Sequence, residues 1–314
     1  MRLDDLPESG NVEDRREEGG FGGGRGGFGL PIGGGGLSIG AIVALGLIGW
    51  ALGIDPSLLI GGAEILTGPS QPQVQAPPTA RRTSAPHDDM GRFVSKVLGS
   101  TELQWKQIFA KDGKTYRPPV LVLYRGATHA SCGGAAQSAM GPFYCPADQK
   151  VYLDTSFFDQ IATRFRGCDV GSTTCRFSQA YVIAHEVGHH VQNLLGILPK
   201  AQQAQRAADS KAAANHIQVQ VELQADCLAG VWANRENEML KSEGKPAFIE
   251  PGDVEAALRT AAAIGDDTLQ RRAQGYVVPD SFTHGSSEQR QRWFNTGFRS
   301  GSIASCNTFA AAQL

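Results

Sequence analysis

From residue 88 onward the apolar residues recur at helical spacing. Met90, Phe93, Val94, Val97 and Leu98 predict a helix over 88–98. Thr101 and Gln104 form a possible capping box for a second helix carrying Leu103, Trp105, Ile108 and Phe109. Residues 119–124 read as a short apolar strand, and 150–155 alternate as a second strand. A central helix is expected from Phe177 to about Ile197, with Val182, Ile183, Val187, Val191, Leu194 and Leu195 on its apolar positions. Residues 201–215 are rich in Ala and Gln and favour helix, and 217–235 continue as helix. Residues 253–264 carry Val254, Ala257, Leu258 and Ala261 on one helix face, and Ser286 with Gln289 caps a helix running to Phe294. The sum is an α+β domain over 87–314, mainly helical with a small β-sheet.

The N-terminal third follows a different pattern. Residues 1–36 begin polar and mixed in charge and pass into a Gly-rich run, a composition expected to be disordered. Residues 37–54 are uncharged and apolar, about the length that spans a bilayer as a single transmembrane helix. Residues 55–86 hold six prolines among Gln, Ser, Thr and Ala, expected as a linker. Arg15, Arg16 and Arg25 precede the apolar run, and no Lys or Arg follows it until Arg81. The positive-inside rule then puts the N-terminus in the cytoplasm and the domain outside the cytoplasmic membrane, in the periplasm or its equivalent.

Composition narrows the function. The formal net charge is −2, so no basic field points to nucleic acid. Six cysteines, all after residue 54, suit three disulfides in an oxidising compartment. The pairs Cys168–Cys175 and Cys227–Cys306 are expected, with the small-residue loop 132–145 closed by its own two cysteines.

Candidate chemistry centres on His185-Glu186-Val187-Gly188-His189. On a helix His185 and His189, at i and i+4, aim at a common point. Glu186, about 100° around the helix, reaches a water on a metal held there. A zinc site needs a third protein ligand, and Glu222 in Glu222-Leu-Gln-Ala-Asp226 is the strongest candidate. Asp226 shares its face and lies among apolar neighbours, where a carboxylate requires a partner such as the N–H of a liganding imidazole. Gly188 sits inside the helix at a cost of about 1 kcal/mol relative to Ala, which close packing under the metal would explain. His190 reads as a packed or surface histidine, and His129 and His216 have no supporting pattern.

The pattern His185-Glu186-x-x-His189 with Glu222-x-x-x-Asp226 resembles the gluzincin metallopeptidases. With Met1-Arg-Leu-Asp-Asp5, Asn11-Val-Glu-Asp-Arg-Arg16, Gly141-Pro-Phe-Tyr-Cys-Pro146 and Gly285-Ser-Ser-Glu-Gln-Arg290, the chain is similar over nearly its whole length to the bacterial family described as "putative neutral zinc metallopeptidase". The resemblance implies a zincin-like domain, Zn2+ held by His185, His189 and Glu222, and Glu186 as catalytic base. His284 stands where some membrane-bound gluzincins carry a histidine that helps hold the oxyanion, although Gly285 replaces their proline. Helix capping or packing is the alternative for His284. The expected function is membrane-anchored, zinc-dependent endopeptidase activity on protein or peptide substrates. The alternative is a zinc-bearing binding or quality-control module without turnover.

Overall fold

A computed structural model describes residues 1–17, 88–132, 134–137, 141–163, 166, 168–169 and 173–314. The expected transmembrane helix at 37–54 and the linker at 55–86 lie outside the described residues. Among the described residues no helix is long and apolar enough to cross a membrane.

Four strands form the main sheet, ordered β1 (Val12–Asp14), β2 (Val120–Tyr124), β6 (Lys150–Asp154), β5 (Phe143–Cys145). The pairs β1–β2 and β2–β6 are parallel, and β6–β5 is antiparallel. A separate antiparallel pair joins β3 (Ala127–Ala130) to β4 (Gly134–Gln137). Strands β2 and β6 read as the pattern predicted, but β6 is interior. It lies between β2 and β5 and so offers no free edge to an extended substrate.

The first helix, α1 (Asp89–Lys111), is continuous, where the pattern predicted two. Asp88 caps it by accepting from the Gly91 amide. Thr101 does not cap a second helix: its hydroxyl is buried and bonds back to the Leu98 carbonyl at 2.6 Å. After α2 (Ser156–Thr163) come α3 (Thr173–Leu194) and α4 (Ile197–Arg206), joined at Gly196, whose φ of 73° suits glycine. Helix α5 (Lys211–Ser242) follows, capped by Ser210, so the expected helix over 201–215 is broken between α4 and α5. The remaining helices are α6 (Asp253–Ala263), α7 (Asp266–Gln274) and α8 (Ser287–Ser300). Helix α8 opens with the capping box predicted at Ser286 and Gln289.

Residues 219–233 of α5 run through the core, with Leu223, Ala229, Val231 and Ala233 fully buried. Helix α8 lies against α5 through glycines. A Cβ on Gly230 would sit 2.2 Å from the Phe294 carbonyl oxygen, and one on Gly297 would sit 1.9 Å from that of Cys227. The disulfides Cys132–Cys145, Cys168–Cys175 and Cys227–Cys306 are the expected pairs, the last tying the C-terminal tail to α5. Disulfides persist in oxidising compartments, which points to a domain outside the cytoplasm.

The N-terminal segment corrects the sequence reading. Residues 1–17 are not disordered and belong to one folded unit with 88–314. Strand β1 pairs along β2 in register, Val12 with Leu121 and Asp14 with Leu123. Met1, Leu6 and Val12 are buried in the main core. The amino group of Met1 lies 2.6 Å from Asp253, and Arg16 holds Asp88 through two bonds of 2.7 and 2.8 Å. A strand hydrogen-bonded into a sheet shares the compartment of that sheet, so an N-terminus in the cytoplasm with the domain outside is not compatible with this fold. Cysteines introduced singly at the exposed positions Glu8 and Arg206 are expected to react alike with a membrane-impermeant maleimide on spheroplasts. Labelling of one with protection of the other would restore a single crossing between them.

Candidate metal centre

Helices α3 and α5 cross where Gly188 faces Ala225. A Cβ on Gly188 would lie 3.0 Å from the Ala225 carbonyl oxygen, so the glycine permits the approach that the sequence led us to expect. One face of α3 then carries Tyr181, His185, His189 and Gln192, and one face of α5 carries Gln218, Glu222 and Asp226, each at the three- or four-residue spacing of a helix.

The two faces bring His185, His189 and Glu222 together as a candidate metal site, with one donor atom from each within 4.8 Å of the others. His185 Nε2 is 3.1 Å and His189 Nε2 is 3.4 Å from the same Glu222 oxygen, Oε2. Three tetrahedral ligands at about 2.0–2.2 Å from a zinc ion stand about 3.3–3.6 Å apart, so the donor types fit zinc and both histidine–Glu222 pairs lie near that spacing.

Each of the three side chains has a partner that orients it. Asp226 Oδ1 accepts from His185 Nδ1 at 2.8 Å. Asp226 is itself held by Arg290, through Nε at 2.8 Å and Nη2 at 2.9 Å, and by the Tyr181 hydroxyl at 2.5 Å. His189 Nδ1 meets Gln192 Oε1 at 2.8 Å. Glu222 Oε1 accepts from Gln218 Nε2 at 2.8 Å, and Gln205 on α4 donates to Gln218 at 2.8 Å. Sequence reasoning found Asp226 but missed Tyr181, Gln192 and Gln218, and it noted Arg290 only within a motif. The spacing signal was there: Tyr181, Gln192 and Gln218 lie three or four residues from a ligand candidate.

The electrostatics follow from burial opposed by pairing. When no metal is bound, burial works against charge on His185, but Asp226 and Glu222 outweigh it and raise the imidazole to about 10. His189 is raised in the same way, burial again being outweighed by Glu222. Burial would lift Glu222 and Asp226, yet the histidines and, for Asp226, Arg290 hold both carboxyls well below their usual range. Glu186 behaves differently. Burial raises it, and the nearby histidines only partly offset that rise.

His190 is fully buried and packed, with Nδ1 3.1 Å from the Tyr144 hydroxyl and Nε2 2.7 Å from the Arg117 carbonyl. His129 and His216 are outside the cluster. His284 is half-exposed at 52 %, with Nδ1 3.5 Å from Asp266. Its loop is clamped by one Asp266 oxygen, which accepts from the amides of Thr283, His284 and Gly285 at 2.6, 2.6 and 3.0 Å. His284, Glu186, His185, His189 and Glu222 line one cleft of about 480 Å³, bordered by Phe143, Phe157, Leu198, Ile264 and Leu269.

A metal that takes the lone pairs of two raised imidazoles displaces their protons. Zinc binding at pH 6 is therefore expected to release about two protons per ion, falling as pH rises through the range where His185 and His189 titrate. Calorimetry in buffers of different ionisation enthalpy reads this directly. Proton release near zero at pH 6 would contradict the assignment of the two imidazoles.

The family model described as "Putative neutral zinc metallopeptidase" matches residues 1–309. The chain is 49% identical over 310 residues to Uncharacterized protein YpfJ of Escherichia coli (strain K12), covering 98% of this chain and 99% of that one. It is 42% identical over 234 residues to Uncharacterized protein Rv2575 of Mycobacterium tuberculosis and to Uncharacterized protein Mb2605 of Mycobacterium bovis, covering 72% of this chain and 74% of each. No solved structure matches at a significant level. The sequence match over nearly the whole chain and the His185–His189–Glu222 cluster agree, and the chain belongs to the neutral zinc metallopeptidase family that this description denotes.

Proposed function

We propose that the protein is a zinc-dependent endopeptidase acting on peptide substrates outside the cytoplasm. The observation that carries this reading is the role left to Glu186. It lines the cleft beside the three-donor cluster yet contributes no donor to it, and burial raises its carboxyl toward the range useful for a general base. A purely structural zinc site needs no such acid and fills its fourth position with protein.

Zinc, when bound by His185, His189 and Glu222, supplies Lewis acidity that polarises the scissile carbonyl and acidifies water. Glu186 takes the proton from the attacking water and passes it to the leaving nitrogen. Asp226, held by Arg290 and Tyr181, fixes the ring of His185. His284, on the loop clamped by Asp266, donates to the oxygen that gains charge in the tetrahedral state. The side of β5 away from β6, unpaired among the described residues, pairs with the extended substrate, and its residues Phe143 and Tyr144 line the cleft. The walls formed by Phe143, Phe157, Leu198, Ile264 and Leu269 favour apolar side chains beside the scissile bond. The uncharged apolar run at 37–54 has the length to associate the protein with a lipid bilayer.

Glu186→Gln tests the base. The variant is expected to bind one zinc per chain and to lose about 10²–10⁴-fold in the rate of casein hydrolysis. Hydrolysis at the wild-type rate would remove Glu186 from the mechanism. Stoichiometric zinc with no hydrolysis by the wild-type protein would favour the binding-module alternative.

A further inference from the structure

We infer that Gln192 and Gln224 are positioning residues for His189, forming a one-way chain of amide hydrogen bonds that starts at the Cys306 carbonyl and leaves Nε2 of His189 as the metal-binding nitrogen. The inference rests on the zinc reading above and concerns how one ligand is prepared for the ion.

A glutamine amide has a donor end and an acceptor end, and its partners decide which way it is turned. Two partners in this chain are backbone carbonyls, which only accept. The Cys306 carbonyl receives Gln224 Nε2 at 2.8 Å, so Gln224 turns its Oε1 toward Gln192. Gln192 Nε2 donates to that oxygen at 3.0 Å and to the Val221 carbonyl at 2.8 Å. Both of its amide protons are then used, and its Oε1 is left facing His189 Nδ1 at 2.8 Å. An acceptor there requires a proton on Nδ1. The nitrogen that gives up its proton and offers a lone pair to a metal is therefore Nε2, which faces Glu222.

Turning Gln192 around would set its oxygen against two acceptors within 3.0 Å and leave buried groups unpaired, at about 1–3 kcal/mol each. Gln192 is fully buried and Gln224 nearly so, so water cannot relieve the mismatch. The start of the chain is also fixed. Cys306 is bonded to Cys227 on α5, and its carbonyl accepts from the Thr308 amide at 2.9 Å. The C-terminal tail thus belongs to the metal site through two amides. The two histidines are oriented by different chemistry, His185 by a carboxylate and His189 by a neutral amide. A neutral acceptor selects the tautomer without adding negative charge beside the ion.

Three measurements on the full chain test this. In the zinc-loaded wild-type protein, a proton–nitrogen NMR spectrum is expected to show a slowly exchanging proton on Nδ1 of His189. Metal on Nδ1 would overturn the inference, whereas absence of stoichiometric zinc would instead overturn the zinc reading. Gln192→Leu is expected to weaken zinc binding about 10–100-fold in competition with a chromophoric chelator. Gln192→Glu keeps an acceptor for His189 and, once protonated, a donor for Val221, so it is expected to retain affinity closer to wild type than the leucine variant. A packing role alone predicts the opposite order, with buried leucine tolerated and buried glutamate harmful, and that order would overturn the inference. Gln104→Leu removes another buried amide, which donates to Glu236 at 2.9 Å away from the cluster, and serves as the control. A loss of zinc affinity in that control equal to the loss in Gln192→Leu would show general destabilisation and also overturn it.

Discussion

Helices α3 and α5 meet with no side chain between Gly188 and the backbone of Ala225, and the metal centre depends on that contact. Its distance decides whether Glu222 on one helix reaches His185 and His189 on the other. The glycine gives up about 1 kcal/mol of helix propensity for the approach. The helix pair is then held from behind. Gly230 and Gly297 let α8 lie directly on α5, which brings Arg290 to Asp226. Three glycines on three helices thus set the depth at which the polar residues meet.

Burying so much charge requires compensation, and the centre supplies it in pairs. Asp226 is matched by Arg290, and Glu222 is matched by the imidazoles or by the ion that displaces their protons. Gln192 and Gln218 add orientation without charge. Of the two carboxylates that bind or orient the ligand histidines, this leaves Glu222 as the one not already matched by a fixed cation. Such a site remains strongly electron-withdrawing, as polarising a carbonyl requires.

The candidate site was legible in the sequence because metal chemistry restricts residue types and a helix restricts spacing. His185, Glu186, His189, Glu222 and Asp226 all satisfy both. Gln192 and Gln218 satisfy the spacing, but an amide on a helix has too many ordinary roles to stand out. Two of the disulfides were legible because each closes a short loop, Cys132–Cys145 and Cys168–Cys175. Strand β1 was not. Val12-Glu13-Asp14 holds one apolar residue, and it becomes a strand only because β2 offers a partner. The interior position of β6 was hidden for the same reason, since strand order is set by pairing at a distance. The Thr101 capping signal misled because a buried threonine within a helix can bond back to its own turn.

The most direct test is X-ray absorption at the zinc edge on the full chain as purified. The structure predicts one zinc per chain with two imidazole nitrogens at about 2.0 Å, carboxylate and water oxygens at about 2.0–2.2 Å, and no sulfur scatterer. A shell at about 2.3 Å from sulfur, or four protein ligands closing the site, would contradict a hydrolytic centre built on His185, His189 and Glu222.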